Sequence, residues 1–282
     1  MAAAILPAAL AFLMFTVGLR LSLSQLAGTA TKPVVLLSGL AVQMIGLPVL
    51  AWVISRLLEL SPDITLGLMI IAVCPGGITS NYVSLLAGAD VALSTAMTLV
   101  TSVVAGLTIP LLLNFSGVEI GSASLVGMVL VMTAVAALPL VAGMGVRAAV
   151  PHHAETLKLF LDKPAKIVFA GIVLATFWQN RAALAESALA AGPAVVLLNG
   201  AGVLLALSTS LIVQASRQQA LAIAVETGLQ NAAIAIFICS GILGRPEIAI
   251  PALLYAVVMN VTALLLVSAG PLLLGSPQAA LK

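Results

Sequence analysis

Glu226 is the only ionisable residue deep inside a membrane-length apolar segment, within Ile223-Ala224-Val225-Glu226-Thr227-Gly228-Leu229-Gln230-Asn231. A carboxylate at the bilayer centre costs roughly 2.5–3.5 kcal/mol even on lenient scales, so something must compensate it. Neutral oxygens recur in comparable places. Thr79, Ser80 and Asn81 follow Pro75-Gly76-Gly77, while Ser94, Thr98 and Thr101 share one face of a helix by their spacing. Gln43 sits mid-span, and Gln230 and Asn231 follow Glu226 closely. One carboxylate among neutral oxygens makes a cage for a hard cation, and Na⁺ suits it better than a transition metal. The alternative chemistry is a proton carried on Glu226. Taken singly, each polar group also has a structural account. Ser and Thr bond their own helix, and Asn or Gln joins neighbouring helices for about 0.6 kcal/mol per pair.

Other chemistry is thinly represented. Cys74 and Cys239 both lie in apolar segments and show neither a disulfide framework nor metal-ligand spacing. His152, His153 and Glu155 precede an apolar run and read as a solvated loop, since the ligands of a closed metal site are missing. An intramembrane enzyme, the remote alternative, would need a nucleophile with its base, paired acids or a metal at depth. A channel is a further alternative, although a closed cage suits occlusion better than continuous flow.

The elements that must position these groups are membrane helices. Of 282 residues, 62% are hydrophobic and 7% charged, more apolar surface than a soluble core could bury. Nine apolar stretches are long enough to span a bilayer: 3–20, 33–57, 64–87, 91–114, 122–146, 164–180, 191–213, 218–243 and 247–274. The first is read as a span rather than a signal peptide, because residues 1–19 carry no Lys or Arg. With the N-terminus outside, eight basic residues fall inside: Arg20, Lys32, Arg147, Lys158, Lys163, Lys166, Arg217 and Lys282. Three fall outside, Arg56, Arg181 and Arg245, which satisfies the positive-inside rule and leaves the C-terminus cytoplasmic. Trp52 and Trp178 then lie near outer ends. The net charge of +2 reflects cytoplasmic loops and gives no sign of nucleic-acid binding. Single prolines at 48, 110 and 139 read as kinks.

Two stretches repeat. Ile71-Ala72-Val73-Cys74-Pro75-Gly76 parallels Ile223-Ala224-Val225-Glu226-Thr227-Gly228, and Asp90-Val91-Ala92-Leu93-Ser94 parallels Glu247-Ile248-Ala249-Ile250-Pro251 in the same order. The third and eighth spans run in opposite directions, and inverted repeats with interrupted helices characterise secondary transporters. Pro75 removes a backbone donor and two glycines weaken the helix, freeing carbonyls near mid-depth. Such backbone is tolerated only inside protein or along a wet cavity. The second half-helices, starting near Thr79 and Gln230, both direct N-termini to the midplane. No Lys or Arg is expected at that depth, so the dipole ends with bound cations would hold an anion. An organic acid is the expected cargo.

These residues resemble a known family. Cys74-Pro75-Gly76-Gly77-Ile78-Thr79-Ser80-Asn81, with Leu86-Ala87-Gly88-Ala89-Asp90-Val91-Ala92-Leu93-Ser94 and Met97-Thr98, resembles the first signature of the bile acid:sodium symporter family. Glu226-Thr227-Gly228-Leu229-Gln230-Asn231 resembles the second, and Phe15-Thr16-Val17-Gly18-Leu19 an N-terminal motif. The resemblance implies an all-α polytopic membrane protein of 1–282, an inverted-repeat transporter with two crossed discontinuous helices. Its core would be 33–114 and 191–274, and its panel 1–32 and 115–190. Two sodium ions are implied, one among Ser80, Asn81, Ser94, Thr98 and Glu226. The other lies among Gln43, Glu226 and Gln230 with backbone oxygens of Thr227 and Leu229. Thr79, Asn231 and Asn260 match polar positions of the family's substrate cavity. Family cargoes are bile acids, other sterol conjugates and small carboxylic acids such as keto acids or pantothenate-like compounds. The ten-helix form common among bacterial relatives has one more panel helix than the nine spans here. The expected setting is a bacterial inner (plasma) membrane, with sodium, an organic anion and lipid as partners. Nothing in the sequence bears on oligomeric state.

Overall fold

The computed structural model describes residues 2–21, 33–77, 79–115, 125–179 and 181–274. Lys32 and Lys282 of the charge count, and the start of the fifth span, lie outside them. Every regular element among the described residues is helical. In chain order these are α1 (Ala2–Gly18), α2 (Pro33–Leu57), α3 (Pro62–Val73), α4 (Ser80–Leu86), α5 (Val91–Phe115) and α6 (125–149). There follow α7 (Pro151–Gln179), α8 (Arg181–Ile212), α9 (Arg217–Gly228), α10 (Ala232–Ile242) and α11 (Ile250–Leu274).

Five helical segments have the length and apolarity to cross a membrane: Pro33–Leu57, Val91–Leu113, Val129–Ala149, Ser187–Ile212 and Pro246–Gly270. Shorter apolar helices cover Leu6–Gly18, Pro62–Val73 and Ala232–Ile242. Together they make an all-α polytopic membrane protein. Large exposed side chains such as Leu130, Leu204 and Leu264 are what a lipid-facing surface requires.

The interruption between α3 and α4 follows from proline chemistry. A residue before proline is driven out of the helical region, and Cys74 has φ −65° and ψ 150°. The corresponding position of the second repeat precedes Thr227 instead, so α9 continues to Gly228 before Leu229 turns extended at φ −113° and ψ 93°. Both interrupted helices are capped. Ser61 accepts from the Ile64 N–H ahead of Pro62, and Ser216 with Gln219 forms a reciprocal capping box. Asn231 caps α10 through its side-chain oxygen.

Two prolines act differently from simple kinks. Pro48 and Pro139 each follow a π-turn, at Val42–Gly46 and Thr133–Ala137. Proline clashes with the carbonyl four residues back, and widening the preceding turn relieves it. Leu47 and Leu138 accordingly donate to carbonyls five residues back, Val42 and Thr133. Pro110 lies inside α5 with no interruption of the helix.

The expected loop around His152 and His153 is helix instead. Pro151 suits a first helical position, and α7 runs through both histidines and Glu155 into the sixth span. Helix α8 likewise begins ten residues ahead of the expected 191.

Helix α1 lies along α6 and α7, while α8 packs on α9, α11 and α2. The α1–α6 contact is backbone on backbone. A Cβ at Gly18 would sit 2.1 Å from the Leu140 carbonyl oxygen, and one at Gly143 would sit 2.3 Å from that of Phe15. Only glycine permits that approach, which accounts for Gly18 in the N-terminal motif.

Candidate functional site

The two interrupted helices meet at their breaks. Gly77 N–H donates to the Leu229 carbonyl over 2.6 Å and Asn231 N–H to the Pro75 carbonyl over 2.9 Å. These bonds flank an isolated antiparallel bridge between Gly76 and Gln230. Backbone freed by each break is thus satisfied by the other, as a water-poor interior demands.

Glu226 lies against this bridge, fully buried. Ser94 donates to its Oε1 over 2.5 Å and Thr98 to its Oε2 over 2.9 Å. Gly76 makes room for the carboxylate, since a Cβ there would stand 2.0 Å from Oε2. Ser94 Oγ is also 2.8 Å from Asn81 Oδ1 and accepts from Ser84 over 3.0 Å. With the Asn81 amide in this orientation, one hydroxyl proton faces two acceptor oxygens. No ion pair among the described residues includes Glu226.

On the other side of Glu226, Gln43 is brought in by the π-turn of α2. Its Nε2 donates to the Glu226 carbonyl over 3.3 Å and lies 3.5 Å from Gln230 Oε1. Gln230 donates to the Thr227 carbonyl over 2.8 Å. Gln43 Oε1 and Thr227 Oγ1 are buried with no hydrogen-bond partner. The carbonyls of Thr227 and Leu229 each accept one bond and keep a second lone pair.

Ser80 lies beside the Glu226 carboxylate as well, with its hydroxyl 2.9 Å from the Gly77 carbonyl. Not every expected group takes part. Thr101 turns to the Met97 carbonyl of its own helix over 2.8 Å, away from Glu226. Thr79, Asn231 and Asn260 line a cavity of about 420 Å³ together with Asn81 and Gln230. Asn260 also donates to the Ala256 carbonyl of its own helix over 2.6 Å.

Three residues escaped the sequence reading. Asn199 on α8 donates to the Gly228 carbonyl over 2.7 Å, and Tyr255 on α11 donates to the same oxygen over 3.2 Å. Thr262 in turn bonds Asn199 Oδ1. They satisfy the last carbonyl of α9, where the chain leaves the helix. An Asn in the middle of an apolar span was the available signal.

The same cavity is also lined by Arg20, just past α1, and by Lys158 on α7. Lys158 bonds Glu155, which also binds Arg147 over 2.5 Å. Glu155 precedes the span at 164, and the bonds from Lys158 and then Arg147 hold its carboxyl below the usual range.

The protein named "Probable sodium/metabolite cotransporter BASS1, chloroplastic" from Arabidopsis thaliana is 28% identical over 242 residues, 84% of this chain. The chain spans 59% of that relative's length. "Uncharacterized sodium-dependent transporter YocS" from Bacillus subtilis (strain 168) is 27% identical over 253 residues, 90% of this chain and 78% of its own. The Sodium Bile acid symporter family matches residues 7–187, the greater part of the chain. With the paired breaks and their buried carboxylate, that match means the chain belongs to the sodium bile acid symporter family.

Proposed function

We propose that this chain is a sodium-coupled symporter of an organic anion that works by alternating access. The observation that carries the proposal is Glu226, a buried carboxylate with neutral hydroxyl partners and no ion pair among the described residues. A buried charge needs a counter-charge, and here a transported ion supplies it. One Na⁺ is assigned to Ser80, Asn81, Ser94, Thr98 and Glu226. The other is assigned to Gln43, Glu226, Gln230 and the carbonyls of Thr227 and Leu229. The relatives' printed names, a sodium/metabolite cotransporter and a sodium-dependent transporter, point the same way.

Sodium is favoured over a proton on Glu226 by what lies on the Gln43 side. A proton on the carboxyl neutralises Glu226 but leaves Gln43 Oε1 and Thr227 Oγ1 buried and unpartnered. A cation beside them would engage Gln43 Oε1, with the Gln43 amide turning its oxygen toward the ion.

The anion would sit at the breaks, against Thr79, Asn231 and Asn260, where half-helix N-termini supply partial positive charge. The assignment of 33–114 and 191–274 to a core with crossed interrupted helices, and of 1–32 and 115–190 to a panel, is supported by the α1–α6–α7 and α8–α9–α11 packing. Movement between the two would expose the breaks alternately to the two sides.

Calorimetry on the purified protein tests the proposal, titrating sodium at constant ionic strength with choline as replacement. Wild type should bind sodium, and Glu226→Gln, which keeps shape but removes the charge, should not. Organic acid affinity should rise with sodium, and sodium affinity with the acid by the same factor. Sodium-independent uptake driven by a pH gradient, lost in Glu226→Gln, would establish the proton mechanism in its place.

A further inference from the structure

A second, much smaller cavity lies where α2, the end of α3 and α5 meet, three helices in mutual contact. Gln43 and Met44 line it from the π-turn of α2, Val73 and Cys74 from the end of α3, and Thr101 and Thr108 from α5. Thr101 shares the helix face of Ser94 and Thr98, yet its hydroxyl bonds elsewhere than Glu226. Thr108 follows it by about two helical turns. Gln43 is the residue that this cavity shares with the Glu226 site.

The polar lining consists mostly of acceptors. Gln43 directs its Nε2 to the Glu226 carbonyl and Gln230 Oε1, and neither of those residues lines the cavity. Nitrogen and oxygen occupy opposite edges of a planar amide, so Oε1 is the edge left for the cavity. Gln43 is 1% exposed, and its Oε1 has no hydrogen-bond partner among the described residues. Thr101 gives its hydroxyl proton to the Met97 carbonyl over 2.8 Å, and Thr108 gives its own to the Val104 carbonyl over 3.3 Å. Both hydroxyl oxygens can then only accept, and the Cys74 thiol is a weak donor. The cavity measures about 20 Å³. A water molecule needs at least ~10–15 Å³ and two to four polar partners, which this lining supplies.

We propose that this cavity binds one water molecule, on which the Gln43 amide turns when sodium arrives. This rests on the symport reading above and specifies how its second ion site switches. Without sodium, the water donates to Gln43 Oε1. With sodium, half a turn of the amide brings Oε1 to the ion, beside the Glu226 carbonyl and Gln230 Oε1 that its Nε2 now meets at 3.3 and 3.5 Å. Nε2 then faces the cavity, and the same water, rotated in place, accepts from it while donating to Thr101 or Thr108. A threonine whose proton is committed serves only the second of these states. A cation in the cavity would serve only the first, since it would oppose Nε2 after the turn. Water serves both, so the amide is partnered before and after sodium binds.

Crystal structures of wild type in sodium and in choline, at a resolution that shows ordered water, test the occupant directly. Both should contain one water within about 3 Å of the Gln43 amide and of a threonine hydroxyl. A dry cavity would overturn the proposal. So would an occupant present in sodium and missing in choline, which would be a further cation instead. Val73→Ile supplies a functional readout, because its extra methyl group takes the room of the water. The sodium-free protein then loses the donor to Oε1, whereas the sodium-bound protein keeps Thr101 and Thr108 as acceptors for Nε2. Sodium affinity, titrated by calorimetry in a choline background, should rise about tenfold, the equivalent of one hydrogen bond. Val73→Ala leaves the water its room and should stay within about threefold of wild type. Unchanged or weaker sodium binding by Val73→Ile would refute the pivot, as would an equal gain in Val73→Ala. Where Val73→Ile does not fold, the two wild-type structures decide the matter. If wild type binds no sodium, the symport reading falls and the pivot with it. If it binds sodium with the cavity dry, only the pivot falls.

Discussion

Replacing Gly76 with alanine probes the proposed ion site where backbone and carboxylate come closest. A Cβ at this position would lie 2.0 Å from Glu226 Oε2, with Thr98 Oγ1 at 3.4 Å. To regain ordinary contact the carboxylate has to retreat by about 1.4 Å, from 2.0 to 3.4 Å. It is held in place by Thr98 at 2.9 Å and by Ser94 at 2.5 Å, and a retreat of that size parts at least one of these bonds. A hydrogen bond to a charged group contributes about 1.5–3 kcal/mol. At about 1.4 kcal/mol per tenfold, Gly76→Ala should weaken sodium binding roughly 10- to 100-fold. Gly77→Ala is the matched control. Its Cβ would meet the Gln230 and Leu229 carbonyl oxygens at 3.2 Å, which a shift of a few tenths of an ångström relieves. It should change sodium affinity by less than about threefold, well under a single hydrogen bond's contribution. Both variants are titrated with sodium in a choline background, following heat or the midpoint of thermal unfolding. Wild-type sodium affinity in a folded Gly76→Ala protein, or a larger loss in Gly77→Ala, would refute the placement of the ion beside this carboxylate.

Tyr255→Phe removes one of two donors to the Gly228 carbonyl, so it should cost about 0.5–1.5 kcal/mol of stability and leave sodium binding measurable. Asn199→Ala strips the shorter bond and orphans the Thr262 hydroxyl, and should cost more, about 1–3 kcal/mol, together with sodium affinity. Thermal unfolding with and without sodium separates the two effects, and equal stability of all three proteins would count against a positioning role. For topology, a cysteine replacing His152 should react with an impermeant maleimide only from the cytoplasmic side, and one replacing Arg56 only from outside. A reversed labelling pattern would invert the orientation and the sidedness of the Arg20–Lys158 cavity.

Much of this protein was legible in its sequence because the membrane enforces it. A run of apolar residues long enough to cross a bilayer has few alternatives to a helix, so the all-α polytopic character followed from composition and length. The carboxylate among them stood out as a candidate site, since leaving it unpaired is too costly. The break before α4 was equally readable, because Pro75 acts on its own neighbours. Cys74 leaves the helical region for a local steric reason that no tertiary contact alters. The histidine segment misled, because polar residues outside a span carry no such constraint and α7 simply continues through them.

What the sequence could not decide were distances between segments remote along the chain. Gly76 and Gln230 pair across more than 150 residues, and only the folded chain reveals that each break satisfies the other's backbone. The π-turn that brings Gln43 beside Glu226 depends on helix packing as well as on Pro48. Asn199 and Tyr255 look like incidental polar residues until Gly228 is placed between them. Arg20 and Lys158 belong to different loops by sequence and to one cavity in space. Local sterics and transfer energies act through neighbours and can be read from order alone. A site made by convergence cannot, because its energy resides in contacts that exist only once the helices have packed.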